Sequence, residues 1–311
     1  MTLSIVIPVY NAGKYLSKLI NSLDAYVSRN DVELIFINDG STDNSQELID
    51  IFCSGKSNTR IVKTENQGVS CARNLGIHYA NGKYIWFVDA DDEINANQAS
   101  YLLTLLQQDY DLIWVKMKTI EESGNVIFSD YKLEQGPHTI YDWRKKFIGQ
   151  GGMMCQYIVR TRIIKDNHIK FVEWAKWFED ADFLFQVSAY SLNIYIEKTD
   201  WFYCYRLNSE SAMRSTKYED RLICSIKLSV YAIERSTNYN IEAQEFVKGV
   251  SAISIAWCLR CLDSDLSSKM YNYIKKHNIL PLKLFGTWRQ KIQIFVLNHS
   301  FIYYKKLVNL L

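Results

Sequence analysis

The chain has 311 residues and a mass of 36.4 kDa, enough for one large α/β domain with an appendage or for two modest domains. With 48% hydrophobic and 23% charged residues, three Pro and thirteen Gly, it is not a disordered, collagen-like or linker-rich protein. The net charge is only +2, yet residues 266–311 hold eight Lys or Arg and no Asp or Glu, leaving 28 basic against 34 acidic residues before them; the tail is a separate electrostatic object.

Leu3–Val9 is an apolar, β-branched run suited to a strand buried on both faces. Gly13–Val27 repeats Leu16, Leu19, Ile20 and Leu23 at helical spacing. Val32–Ile37 predicts a second strand. Ser41 or Thr42 is placed to cap a helix running through Phe52, with Asp43 favoured by its N-terminal dipole. Arg60–Lys63, Ser70–Ala80 and Lys83–Val88 then read as strand, helix and strand. This alternation predicts an α/β fold with a mainly parallel, twisted sheet and helices on both faces. Beyond residue 93 the pattern loosens. Ala96–Gln108 and Phe183–Ser191 read as helices, Leu112–Lys118 and Asn193–Glu197 as strands, and Glu121–Gly136 as a loop or hairpin. Gly149–Cys155 reads as a flexible approach to a strand or helix at Cys155–Val159, and from Tyr218 onward the spacing is all-helical.

Ligands of such sheets bind outside the carboxyl ends of the strands. There stand Pro8, Val9, Tyr10 and Asn11, then Asn38-Asp39-Gly40-Ser41, Asn66-Gln67-Gly68, and Asp89-Ala90-Asp91-Asp92. Three carboxylates within four residues repel one another unless a cation or hydrogen bonds compensate them. Carboxylates at i and i+2 of a turn can both face Mg²⁺ or Mn²⁺, with phosphate and water filling the remaining positions. The plain alternative is a solvated acidic turn. No GxGxxG, GxxxxGK[ST] or HExxH occurs, and Cys258 with Cys261 forms one lone CxxC that reads as core thiols.

Five segments stand in order over residues 1–215: Ile5–Asn11 (IVIPVYN), Ile37–Asp43 (INDGSTD), Asn66–Asn74 (NQGVSCARN), Phe87–Asp92 (FVDADD) and Phe178–Phe183 (FEDADF). Together, in this order, they resemble family 2 glycosyltransferases of the GT-A fold. The resemblance implies a catalytic domain over 1–215, with a nucleotide-binding half (1–92) and an acceptor half (93–215), followed by a helical region over 216–311. It implies that Pro8, Val9, Tyr10, Asn11, Asp39, Arg73, Asn74, Asp89 and Ala90 bind the donor nucleotide, with Asp39 reading uracil N3–H. Asn38 stands where the family often has a further acid. Arg73 is expected to offset phosphate charge. Asp89 and Asp91, the ends of a DXD motif, are expected to hold Mn²⁺ or Mg²⁺, with Asp92 behind them. Asp180 is expected to be the base that deprotonates an acceptor hydroxyl, with Glu179 orienting acceptor or sugar, so that the reaction inverts the anomeric carbon. Trp177, Asp182, Arg206 and Arg214 are candidate acceptor or phosphate contacts; the tryptophans at 174 and 177 suit either sugar stacking or core anchoring.

The implied partners are a UDP-sugar and a saccharide acceptor, a lipid-linked one of bacterial surface-glycan assembly. The alternatives are a catalytically silent glycan-binding copy of the fold and a nucleotidyltransferase, for which Asn11-Ala-Gly-Lys14 is a poor phosphate loop. Seven scattered cysteines and an N-terminus without a basic leader give the expectation of reduced thiols and a cytoplasmic location. No apolar run approaches the roughly 18 residues of a membrane span. The basic tail with Trp288, Phe295, Phe301, Tyr303 and Tyr304 gives the expectation of peripheral contact at the cytoplasmic face of the inner membrane, against the alternative of a helix packed on the domain. Net acidity of the rest argues against nucleic acid.

Overall fold

The computed structural model describes residues 1–147, 153–207 and 216–308. Gly149–Gly152 and the stretch with Arg214, both singled out above, lie outside the described residues. The chain divides into two compact units, Met1–Glu173 with Tyr190–Ser211, and Trp174–Ala189 with Ala212–Leu311. The sequence motifs run on to 215, whereas packing assigns the Phe178–Phe183 motif to the second unit.

The first unit opens with β1 (Leu3–Val9), α1 (Gly13–Val27), β2 (Val32–Asp39), α2 (Ser45–Cys53), β3 (Thr59–Thr64), α3 (Val69–Tyr79) and β4 (Tyr84–Phe87). Every residue of β1, β2 and β4 is buried, as apolar strands covered on both faces must be. α1 turns Leu16, Leu19, Leu23 and Tyr26 into the core. α3 approaches the sheet so closely that a Cβ on Gly76 would stand 2.2 Å from Val6 Cγ1, which is why glycine is needed there.

After β4 come β5 (Glu93–Ile94), α4 (Ala99–Leu105), β6 (Leu112–Ile120), β7 (Val126–Phe128), β8 (Gly136–Thr139), α5 (Ile140–Phe147), β9 (Tyr157–Arg160) and α6 (Thr161–Asp166). α7 (Glu179–Tyr190) precedes β10 (Asn193–Arg206). Among the described residues the strands form one sheet of order β3-β2-β1-β4-β9-β6-β10-β5, with β7 beside β6 and β8 beside β10. Pairing is parallel from β3 through β4 and between β6 and β10; β9 is inserted antiparallel between β4 and β6. The expected α/β architecture is therefore present, with its parallel part at the N-terminal side.

Three elements differ from their sequence expectations. α2 begins at Ser45 with Asn44, and not Ser41 or Thr42, at its N-cap, because residues 41–43 are held as a loop: Thr42 N–H donates to Asn11 Oδ1 (2.8 Å), and Asp43 accepts from Gly13 and Ser45 N–H (2.9 and 3.0 Å). α7 begins four residues before Phe183, with three acids in its first turn, where the helix dipole favours them. β10 continues to Arg206 because its second half pairs with both β5 and β6.

The second unit is helical: α7 with α8 (Tyr218–Arg235), α9 (Ile241–Cys261), α10 (Ser264–Lys276), α11 (Trp288–His299) and α12 (Phe301–Val308). Asn240, Asp263 and Thr287 cap their helices by accepting backbone N–H bonds, and Thr287 forms a reciprocal capping box with Gln290. Leu222, Ile226, Ile255, Leu259, Ile294 and Leu297 belong to its core. Of the CxxC pair, Cys258 is buried but Cys261 is exposed, so only the first is a core thiol. No helix among the described residues is long and apolar enough to cross a membrane.

Candidate functional site

Because β1, β2, β3 and β4 are parallel and in register, the loops after them leave one edge of the sheet. Hydrogen bonds stitch these loops together. Asn11, in the left-handed region at φ 48°, donates its N–H to Ser41 Oγ (3.1 Å) and accepts from Thr42. Asn38 accepts from Ser41 N–H (2.9 Å) and donates to Gln46 (2.6 Å). Asp39 is 3% exposed, and its two oxygens accept from Gln67 N–H (2.9 Å) and Gly68 N–H (2.8 Å). It thereby fixes the β3–α3 loop to the end of β2. Gly40 adopts φ +73°, and a Cβ there would meet Asn66 N at 2.7 Å. Pro8, Val9 and Ala90 are buried, while Tyr10 is 51% exposed and free to present its ring to a flat ligand.

The carboxylates after β4 sit in three different environments. Asp89 is partly exposed, and one oxygen accepts from Arg73 Nη2 at 3.0 Å. The Arg73 side chain is buried, with its guanidinium over the Phe171 ring at 5.2 Å. Asp91 is half-buried, and Asp92 is 1% exposed. Asp92 accepts from Tyr203 Oη (2.6 Å) and from Arg206 N–H (2.9 Å). Burial, reinforced by the charges of Asp91 and Asp89, pushes the Asp92 carboxyl well above the usual range, while those two hydrogen bonds pull the other way. Burial also raises Tyr203, keeping its hydroxyl protonated; besides donating to Asp92 it accepts from Asp89 N–H at 3.1 Å.

Tyr203 and Glu93 carry structural weight that sequence reading did not assign. Arg206, expected near phosphate, points its Nε at Glu93. Asn74, expected beside the nucleotide, clamps the chain: it donates to Phe171 O and accepts from Phe171 N–H, both at 2.9 Å, and also donates to Glu173 (3.1 Å). A cavity of about 610 Å³ on that flank of α3 is lined by Gln67, Cys71, Asn74, His78 and His168, among others, and by none of the rim acids.

The donor set of the rim suits a hard divalent cation. Asp89 and Asp91 offer carboxylate oxygens two residues apart. Among the described residues no group of three or more His, Cys, Asp or Glu could hold a metal alone. Mg²⁺ is commonly bound through one or two carboxylates together with the phosphates of a ligand, rather than caged by protein.

In the second unit, Glu179 and Asp180 are half-buried in the first turn of α7. Phe178, immediately before them, has φ +71°, an outlier for a bulky side chain of the sort that marks constrained sites. Asp182 does not contact an acceptor surface, contrary to expectation. It is fully buried, paired with Arg235 Nη2 and bonded to Gln186 (3.0 Å). Burial pushes its carboxyl up, with Arg235 opposing. Trp177 lies under the Arg221 guanidinium (4.7 Å), and its carbonyl accepts from Cys224, whereas Trp174 is 52% exposed beside Tyr231. Of the two rings, the exposed one is better placed to stack on a sugar.

Residues 4–166 match the family model described as Glycosyl transferase family 2. The uncharacterized glycosyltransferase YibD of Escherichia coli (strain K12) is 35% identical over 181 residues, which are 55% of this chain and 52% of that protein. The poly(ribitol-phosphate) β-N-acetylglucosaminyltransferase TarS of Staphylococcus aureus (strain Mu50 / ATCC 700699) is 29% identical over 223 residues, 70% of this chain and 38% of that protein. The chain thus spans about half or less of the length of these relatives. The crystal structure of S. aureus TarS 1–349 with UDP-GlcNAc superposes with a TM-score of 0.77, covering 99% of this chain and 90% of that one at 19% identity. The two share the GT-A fold.

Proposed function

The chain belongs to glycosyl transferase family 2, and we propose that it moves a sugar from a UDP-sugar to a hydroxyl of a saccharide acceptor, inverting the anomeric carbon. The observation that carries this reading is the rim at the carboxyl edge of the parallel strands, where Asp89 and Asp91 stand on a turn anchored by Arg73 and Tyr203. Support for a uridine donor comes from TarS, whose structures hold UDP and UDP-GlcNAc. Its name, which gives poly(ribitol-phosphate) as the molecule acted on, also supports a polymeric acceptor, which we take to be lipid-linked here.

The residues divide the work. Tyr10, with Pro8, Val9 and Asn11, walls the uracil and ribose. The Asp39 oxygens already accept two backbone bonds, but each retains a lone pair for uracil N3–H. Asp89 and Asp91 would hold Mn²⁺ or Mg²⁺, which when bound offsets the charge growing on the departing diphosphate. Asp180 takes the proton of the acceptor hydroxyl as its oxygen attacks the anomeric carbon and the bond to diphosphate breaks. Glu179 orients the sugar or acceptor. The free thiols suit a reducing compartment, the cytoplasm.

The test is UDP release from a panel of UDP-sugars with a saccharide acceptor and Mn²⁺. One donor should support turnover that Asp180→Asn lowers by at least about a hundredfold. Tight UDP binding without turnover of any donor would instead favour a silent, glycan-binding copy of the fold.

A further inference from the structure

α11 is apolar on two opposite faces. Ile294 and Leu297 are buried in the helical core, while Trp288, Ile292 and Phe295 are 67%, 44% and 50% exposed. At i, i+4 and i+7 these three share one side of the helix, within an arc of roughly 60°. Exposed Arg289 and Lys291 flank that arc on its two edges, and the Arg289 guanidinium lies over the Trp288 ring at 5.5 Å. α12 adds Ile302 and Tyr303, exposed by 69% and 67%.

We propose that this outer face of α11 docks on a lipid bilayer bearing anionic headgroups. The chemistry of the face selects that partner. An aromatic–aliphatic stripe edged by Arg and Lys, with Trp at its start, is what a helix lying in the bilayer interface requires. Self-association is disfavoured by charge. A two-fold pairing through this stripe would bring Arg289 and Lys291 of both copies together, and residues 266–311 contain no carboxylate to neutralise them. The inference uses the helical unit alone and stands apart from the transfer reaction.

The experiment is flotation of the full chain with vesicles of phosphatidylcholine, with or without phosphatidylglycerol. Partitioning should favour the anionic vesicles and weaken with added salt. The variant Trp288→Ser/Ile292→Ser/Phe295→Ser should partition about tenfold less at an unchanged melting temperature, since it alters exposed side chains. The variant Arg289→Glu/Lys291→Glu, which leaves the stripe intact, should lose the preference for phosphatidylglycerol. Equal partitioning by the native chain and both variants would overturn the proposal. So would failure of the native chain to bind vesicles, together with a dimer in sedimentation that the serine variant disperses.

Discussion

Tyr203 Oη lies 2.6 Å from Asp92 Oδ2 and also accepts the Asp89 N–H at 3.1 Å. A β10 residue, 114 positions from Asp89, thus fixes the acidic turn after β4. Tyr203→Phe removes both bonds while keeping the ring against Trp86. The loss should be about 1–3 kcal/mol of unfolding free energy, the cost of leaving buried polar groups short of a partner. UDP affinity in the presence of Mn²⁺ should fall with it. Denaturant titration and calorimetry measure the two effects, and an unchanged midpoint would show that the turn holds itself.

The Asp182–Arg235 pair should be a stability element and not a catalytic one. Removing one partner of a buried ion pair leaves an uncompensated charge. Asp182→Ala is therefore expected to cost about 3–5 kcal/mol, and Asp182→Leu/Arg235→Met should recover most of it. A single variant with native stability and lost turnover would return Asp182 to the acceptor site.

Asp180→Asn should lower kcat by about two to four orders of magnitude, the range for loss of a general base, with donor affinity unchanged. Glu179→Gln should raise the acceptor KM more than it lowers kcat. Reversal of these two patterns would exchange the roles of the two acids.

Asp39→Asn places an amide NH₂ against either Gln67 N–H or Gly68 N–H, two donors that now face carboxylate oxygens. One part-buried donor then loses its acceptor, at about 1 kcal/mol. Uridine binding should weaken in parallel, as read by thermal shift with and without UDP.

Asp109 supplies a pH test far from the rim. Hydrogen bonds from Lys83 and Arg160, with the Arg160 charge, lower its carboxyl from 3.8 to about 2. A depressed folded-state pKa contributes stability that is present above the unfolded value and is lost as pH falls from 3.8 toward about 2. NMR titration should place the Asp109 midpoint near the lower end of that window. In Asp109→Asn the acid-induced loss of stability over the window should be smaller.

The parallel strands and the acids at their ends were legible because each is a local pattern: an apolar run, then polar residues at a fixed offset. The clamp from Tyr203 was not, since nothing local in Tyr203-Cys-Tyr-Arg206 ties it to Asp92, 111 residues earlier. Asn74 and Arg73 were read as ligands of the nucleotide because their motif lies near it; their bonds to Phe171, Glu173 and Asp89 were not legible, because those partners lie elsewhere in the chain. Asp182 was grouped with Glu179 and Asp180 by proximity, although helical geometry turns its side chain into the core. The outer stripe of α11 was obscured because Ile294 and Leu297 place a second apolar face opposite it, and two opposed stripes leave no single amphipathic direction.

Calorimetric titration of UDP into the native chain and into Asp91→Asn, each with and without Mn²⁺, tests the rim most directly. Mn²⁺ should tighten UDP binding by at least about tenfold, or 1.4 kcal/mol, in the native chain and by far less in the variant. Equal affinity with and without Mn²⁺ in the native chain, or an undiminished Mn²⁺ effect in Asp91→Asn, would contradict the account.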